Sequence, residues 1–307
     1  MLLAFLLVGL AGQTPEIQAQ VDLKLRVERA LQGFGGKVWL AASNLNTGKA
    51  FELNGGERVR TASTIKLAIL VALHGEVKKG NLRWDDKLVL DKEVRAQGAG
   101  VLHEMEDGHI LTLREASRLM MVVSDNIATN LILRKVGIDT VNDWMDRLGL
   151  PKTRALAWIG GGAVSKARSA EWNKRADGLT HGIGVTTPLE MVDLLTRLDK
   201  GEIIGPEDSQ QILSVMGRQQ FKDGLGRNLR GVRIASKPGA LDRLRSEVGI
   251  LTVGKEKFAL AVTIDDMPAP PDWSPDNPGL KMLSKLSEVL VDGLKSDNPA
   301  PNGEKKP

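Results

Sequence analysis

Strand signals sit at the two ends of this 307-residue chain and helix signals fill the middle, an order that restricts the fold more than any other property of the sequence. After a helix expected over Val21 to Gln32, KVWLAASNL and KAFELNG alternate apolar and polar residues on either side of Asn46-Thr47-Gly48, which predicts a β-hairpin. From Ser63 to about Leu198 the apolar spacing is helical. Capping-box starts stand at Thr112 to Glu115 and at Thr187 to Glu190, the second with Pro188 in its first turn. Strand character returns in VRIASKPGA, SEVGILTV and KFALAVTID, the last two joined through Gly254-Lys255, and an amphipathic helix covers about Leu280 to Leu294. The expected fold class is therefore α/β of the α+β kind, an antiparallel sheet flanked by helices with an inserted all-helical domain. The expected boundaries are 20–60 plus 205–295 for the sheet domain and 61–204 for the helical domain, with a cleft between them as the natural place for a site.

Composition narrows the function classes. The charge of +4 is spread along the chain without a basic block interleaved with aromatics, so nucleic acid is not an expected partner. The absence of cysteine excludes disulfides, thiolate metal sites, a cysteine nucleophile and a lipid-modified cysteine anchor. At the N-terminus, MLLAFLLVGLAG is too short for a stable membrane span and has the length of a signal-peptide core, although no Lys or Arg precedes it. With QTPEIQAQ as cleavage zone and linker, residues 1–19 read as a signal peptide of a periplasmic or secreted protein, and the Pro-rich end, 296–307, as a disordered tail. A monomer acting on a small-molecule substrate is the expectation.

The stretch TASTIKLAIL places Ser63 and Lys66 at the head of an apolar helix, three residues apart and so on one face. A serine hydroxyl is a poor nucleophile until a base takes its proton, and a lysine made neutral by burial or a neighbouring cation is such a base. Downstream, Ser124 and Asn126 of MMVVSDNIATN stand where one helix breaks and the next begins. Lys237 of IASKPGAL lies in a strand and is followed by Pro238 and Gly239.

Ser-x-x-Lys, Ser-Asp-Asn and Lys-x-Gly, in this order, are the set found in class A β-lactamases and penicillin-binding proteins, which the chain resembles from about Val38 to Asp265. The resemblance implies a β-lactamase/transpeptidase-like fold and a Ser63 acyl-enzyme. The backbone N–H groups of Ser63 and Ala240 would hold the charge that develops on the attacked carbonyl oxygen. Lys66 is one candidate base, Ser124 held near Lys237 would relay a proton to the departing nitrogen, and Asn126 would hold the substrate's side-chain amide. Asn130 is similar to a family position that props the neighbouring loop. No cofactor is implied, and His103, Glu104 and His109 lack the helical spacing of a zinc pair.

Two departures stand out. The family's Lys-Thr-Gly or Lys-Ser-Gly binds the substrate carboxylate, and Pro238 removes both a hydroxyl and an N–H from that position, leaving Lys237 with Arg243 or Arg245 to compensate. The family's Glu-x-x-Leu-Asn loop, which activates the deacylating water, is replaced by a longer Gly-rich loop. Glu171 falls at the glutamate's usual interval, 17 residues before Pro188, but Arg175 stands where the asparagine belongs. Three outcomes follow for the chemistry: a β-lactamase, a cell-wall DD-peptidase or esterase with the same nucleophile, or a sensor that retains the acyl group.

Overall fold

The computed structural model describes residues 15–175, 179–268 and 270–296. Residues 1–14 of the expected signal peptide and linker (1–19) and residues 297–307 of the expected tail lie outside the described residues. Helix α1 (Pro15–Leu31) starts earlier than the expected Val21, because Pro15 suits a first helical position and the Glu, Gln and Ala residues after it are good helix formers. Strands β1 (Lys37–Asn44) and β2 (Ala50–Leu53) form the first hairpin, and β3 (Val59–Arg60) leads into helix α2 (Lys66–Lys78). The helical segment follows, with β4 (Lys87–Val89), β5 (Ile110–Thr112), α3 (Leu113–Val122), α4 (Asn126–Val136), α5 (Ile138–Arg147), β6 (Arg154–Ala155), β7 (Gly184–Thr186), α6 (Pro188–Asp199) and α7 (Pro206–Gly217). The chain then returns to the sheet through β8 (Arg233–Leu241), β9 (Leu244–Val253) and β10 (Glu256–Asp265), and ends in α8 (Pro278–Leu294).

The main sheet has the order β2-β1-β10-β9-β8, all neighbours antiparallel. Its closure depends on β1 pairing with β10, from Lys37 opposite Asp265 to Asn44 opposite Phe258, so the two ends of the chain complete one another. The two-residue side-chain period sorts the strands into unlike faces. Val38, Leu40, Phe258, Leu260 and Val262 pack against Leu23 and Val27 of α1 and Leu286 and Leu290 of α8. The opposite face presents the smaller Ala41, Ala259 and Ala261 to the helical segment, which lets α6 lie close to the sheet.

Helix α2 is the axis of the helical side. Every residue from Lys66 to Glu76 is buried, which is why its sequence is apolar all round and shows no polar face. Thr112 and Glu115 form the expected capping box at the start of α3, and Thr187 accepts from the backbone N–H of Glu190 at the start of α6. β8 is an outer strand of the sheet, so its free edge looks toward the head of α2 and the junction of α3 and α4.

Candidate active site

Ser63 lies in a 3₁₀ turn, Ala62–Ile65, that runs directly into α2. In such a turn residues i and i+3 nearly eclipse, which aligns Ser63 with Lys66. Ala62 before it has φ 46° and Ser124 has φ 56°, left-handed conformations that cost a non-glycine residue about 1 kcal/mol each. Such strain is held in place only by its surroundings. Here the surroundings are β8 on one side and a buried aspartate on the other.

Asp125 caps α4 by accepting from Ala128 N at 2.8 Å, and it also accepts from Val101 N at 2.7 Å and Leu102 N at 2.9 Å. One buried carboxylate thus fixes the turn that aims Ser124 and the loop that covers it. Asp125 is not among the residues expected at the site, although an aspartate directly before a helix is a standard capping signal.

Two lysine side chains from far-apart motifs meet at Ser124. Lys66 Nζ donates to Ser124 O at 2.6 Å, Ser124 Oγ at 3.1 Å and Asn126 Oδ1 at 2.9 Å. Lys237 Nζ donates to Ser124 Oγ at 2.9 Å and to Pro238 O at 2.8 Å. Both lysines are completely buried. Burial holds the Lys66 ammonium well below the ordinary lysine range, the neighbouring Lys237 charge pushes the same way, and Asp125 opposes them. Burial likewise lowers Lys237 to about 7, against the pull of the Glu247 carboxylate.

The second shift gives a stability prediction. An unfolded lysine keeps its proton up to about 10.5 whereas Lys237 in the fold releases it near 7, so between those values the unfolded chain binds the extra proton and stability rises with pH. The urea midpoint is expected to climb from pH 7 to pH 9, and to climb less in Lys237→Met. Equal slopes in the two proteins would contradict it.

The pairing of Lys237 with Pro238 O also orients the strand edge. That carbonyl points away from β9, and residues two apart in a strand face the same way, so the Ala240 N–H points outward too. Gly239 crosses the head of α2 so closely that a Cβ there would lie 2.7 Å from Thr61 O and 3.0 Å from Ser63 N. Ser63 and Ala240 therefore border one space. Ser63, Ser124, Asn126, Pro238, Gly239 and Ala240 line a cavity of about 630 Å³ there. A larger cavity of about 840 Å³ lies along α7 and β8, but it contains neither Ser63 nor either buried lysine, so size does not locate the chemistry.

Asn126 is pinned between Lys66 and Gln97 O, to which its Nδ2 donates at 2.7 Å, so its amide is engaged before any substrate arrives. Asn130 holds Val94 O at 3.2 Å, Ile159 O at 2.9 Å and Ile159 N at 2.9 Å, tying the loop after β6 to α4.

Glu171 is not brought to this cavity. Its side chain is 84% exposed and paired with Lys174 at 2.8 Å. The residues beside it explain the direction: Trp172 lies under Arg58 at 4.9 Å, and the buried Asn173 donates to Arg168 O at 2.7 Å and faces His181. Arg175, in the family's asparagine position, reaches Asp265 at 3.3 Å, a carboxylate already held by Arg60. The loop is fastened to the end of β10 with its glutamate turned outward. Arg243 is also directed elsewhere, donating to Asp266 O at 3.2 Å and to Met267 O.

Glu247 is a further buried acid beside the site that was not among the expected residues. It is buried in β9 opposite Pro238 and accepts from Ser236 Oγ at 2.6 Å and Leu225 N at 2.8 Å. The only signal was one acid inside the otherwise apolar run SEVGILTV.

Comparison with known proteins agrees with this fold. The β-lactamase CARB-4 of Pseudomonas aeruginosa is 26% identical over 226 residues, 73% of each chain. The match to the β-lactamase VEB-1 of the same organism, 25% identical, spans 42% of this chain and only 44% of that one. Among solved structures, a β-lactamase from Sphaerobacter thermophilus superposes with a TM-score of 0.74 at 27% identity, covering 89% of this chain and 97% of that one. A point mutant of PBP-A, determined as an acyl-enzyme complex with penicillin G, shares the fold with a TM-score of 0.74 at 23% identity, over 91% and 98% of the two chains. The model of the β-lactamase enzyme family matches residues 22–294, and the chain belongs to that family, as a divergent member.

Proposed function

We propose that the protein is a serine hydrolase that opens β-lactam amides by acylation of Ser63. The observation that carries this reading is the meeting of Lys66, Ser124 and Lys237 beside the cavity that Ser63 lines. A Lys66 amine freed of its proton by burial takes the Ser63 proton as Oγ attacks the carbonyl carbon. The developing oxyanion lies between the N–H groups of Ser63 and Ala240. The C–N bond then breaks, and Ser124 passes a proton to the leaving nitrogen, replenished through its contacts with the two lysines. The apolar N-terminal run supports export, and with it a periplasmic or secreted site of action.

A second reading concerns release of the acyl group. With Glu171 paired to Lys174 at the surface, that glutamate does not stand ready to activate water, which favours a long-lived adduct, as in a slow peptidase or a sensor. Intact mass after mixing with penicillin G tests both readings. An adduct that persists for many minutes and is lost in Ser63→Ala is the expected result; no adduct and no turnover would remove the β-lactam reading. Glu171→Ala is expected to change adduct lifetime by less than about twofold, since an exposed ion pair contributes little. A large increase in lifetime would instead make Glu171 the deacylation base.

A further inference from the structure

A second group of cations stands apart from the cavity beside Ser63. Where α2, α3 and α7 meet, a space of about 380 Å³ is lined by His74, Trp84, Arg114 and Arg118, with Ser214 of α7 and Arg218 at that helix's end. It shares no wall with the cavity that Ser63 lines. Among the described residues, no carboxylate pairs with any of the three guanidiniums. The nearby acids are engaged elsewhere: Glu115 accepts from Thr112 N and Thr112 Oγ1 at 2.7 Å each, Glu207 from Gln211 at 3.3 Å, and Asp208 meets His74 Nδ1 at 3.0 Å and Lys78 Nζ at 3.5 Å. Arg114 lies in the first turn of α3, where the helix dipole opposes a cation, and Arg118 follows one turn later with the same charge. His74 is an independent sign of a missing partner. Its side chain is 4% exposed and its ring lines this space, yet Nε2 has no protein partner.

We propose that this cavity is a second binding site, for a small molecule that carries a phosphate monoester. Three guanidiniums from two helices call for more than one negative charge, and their planar forks match phosphate oxygens in pairs. A bound phosphate relieves the repulsion between Arg114 and Arg118 and gives the His74 ring, when protonated, an acceptor for its Nε2–H. Trp84, over which Arg114 stacks at 4.7 Å, supplies an apolar wall for the organic part of the ester, and the volume suits a compact ligand. The site stands on its own residues and does not depend on the reaction at Ser63.

Calorimetric titration of the full chain with glycerol 3-phosphate at constant ionic strength tests the site. Saturable binding at one site per chain is expected, weakened at least fivefold in Arg114→Gln and in Arg218→Gln. Both positions are exposed and glutamine is as good a helix former as arginine, so these variants keep the fold. Tryptophan fluorescence followed in parallel is expected to change on binding and to lose that change in Trp84→Phe, which fixes the ligand to this cavity. Ser63→Ala is expected to bind like the wild type. No saturable binding, an equal response to chloride, an affinity indifferent to both arginine substitutions, or capture by phosphatidylglycerol vesicles without binding of glycerol 3-phosphate would each overturn the proposal.

Discussion

Lys66→Met is expected to lower the rate of Ser63 acylation by about 100- to 10,000-fold, the usual contribution of a positioned general base, without unfolding the protein. The argument rests on where the amine sits. Lys66 is wholly enclosed and holds Ser124 O, Ser124 Oγ and Asn126 Oδ1 at once. Methionine matches its length and apolar stem and removes a buried charge, so the helix tolerates it, but it cannot accept the hydroxyl proton. The wild-type rate is expected to rise with pH well below the ordinary lysine range, since the neutral amine is the active form and burial lowers its proton affinity. Rapid-mixing acylation measurements from pH 5 to 9 check both points. A Lys66→Met protein that acylates within tenfold of wild type would assign the base elsewhere.

Gly239→Ala is expected to have the next largest effect, and to act on stability and chemistry together. The added methyl group meets backbone at Thr61 O and Ser63 N and the Ala62 Cβ at 3.2 Å, none of which is a flexible side-chain end. Either β8 withdraws from the head of α2 or the turn holding Ser63 shifts. The cost is about 1 to 3 kcal/mol for overpacking. Displacing the nucleophile from the Ala240 N–H by about 1 Å slows acylation by about 100-fold. Urea unfolding and adduct formation measured on the same preparation test the coupling; loss of stability with an unchanged acylation rate would show that the two N–H groups do not act as a pair.

How much of this was legible in the sequence varies with the kind of signal. The hairpins, the capping boxes and the order of sheet and helices were legible because each depends on local period and turn chemistry. Ser63, Lys66, Ser124 and Lys237 were legible through short motifs, and their convergence follows from β8 running beside the turn that holds Ser63. The direction of Glu171 was not. It depends on Trp172, Asn173 and Arg175 finding Arg58, His181 and Asp265, contacts spread over most of the chain. Counting back from Pro188 gives a position along the loop, not the way its side chain points. Glu247 escaped notice because an apolar run is read by its majority, whereas a single acid within it has meaning only once Lys237 and Pro238 lie across the ladder.

Pro238 has one more consequence. A sheet margin left bare beside a cleft invites foreign polypeptide to zip onto it, and this margin has to stay bare for a small molecule to reach Ser63. The proline leaves a rung without a donor, so an intruding extended segment meets an interrupted ladder and gains little by annealing there. One pyrrolidine ring thus guards the doorway against accretion while leaving it open to compact guests.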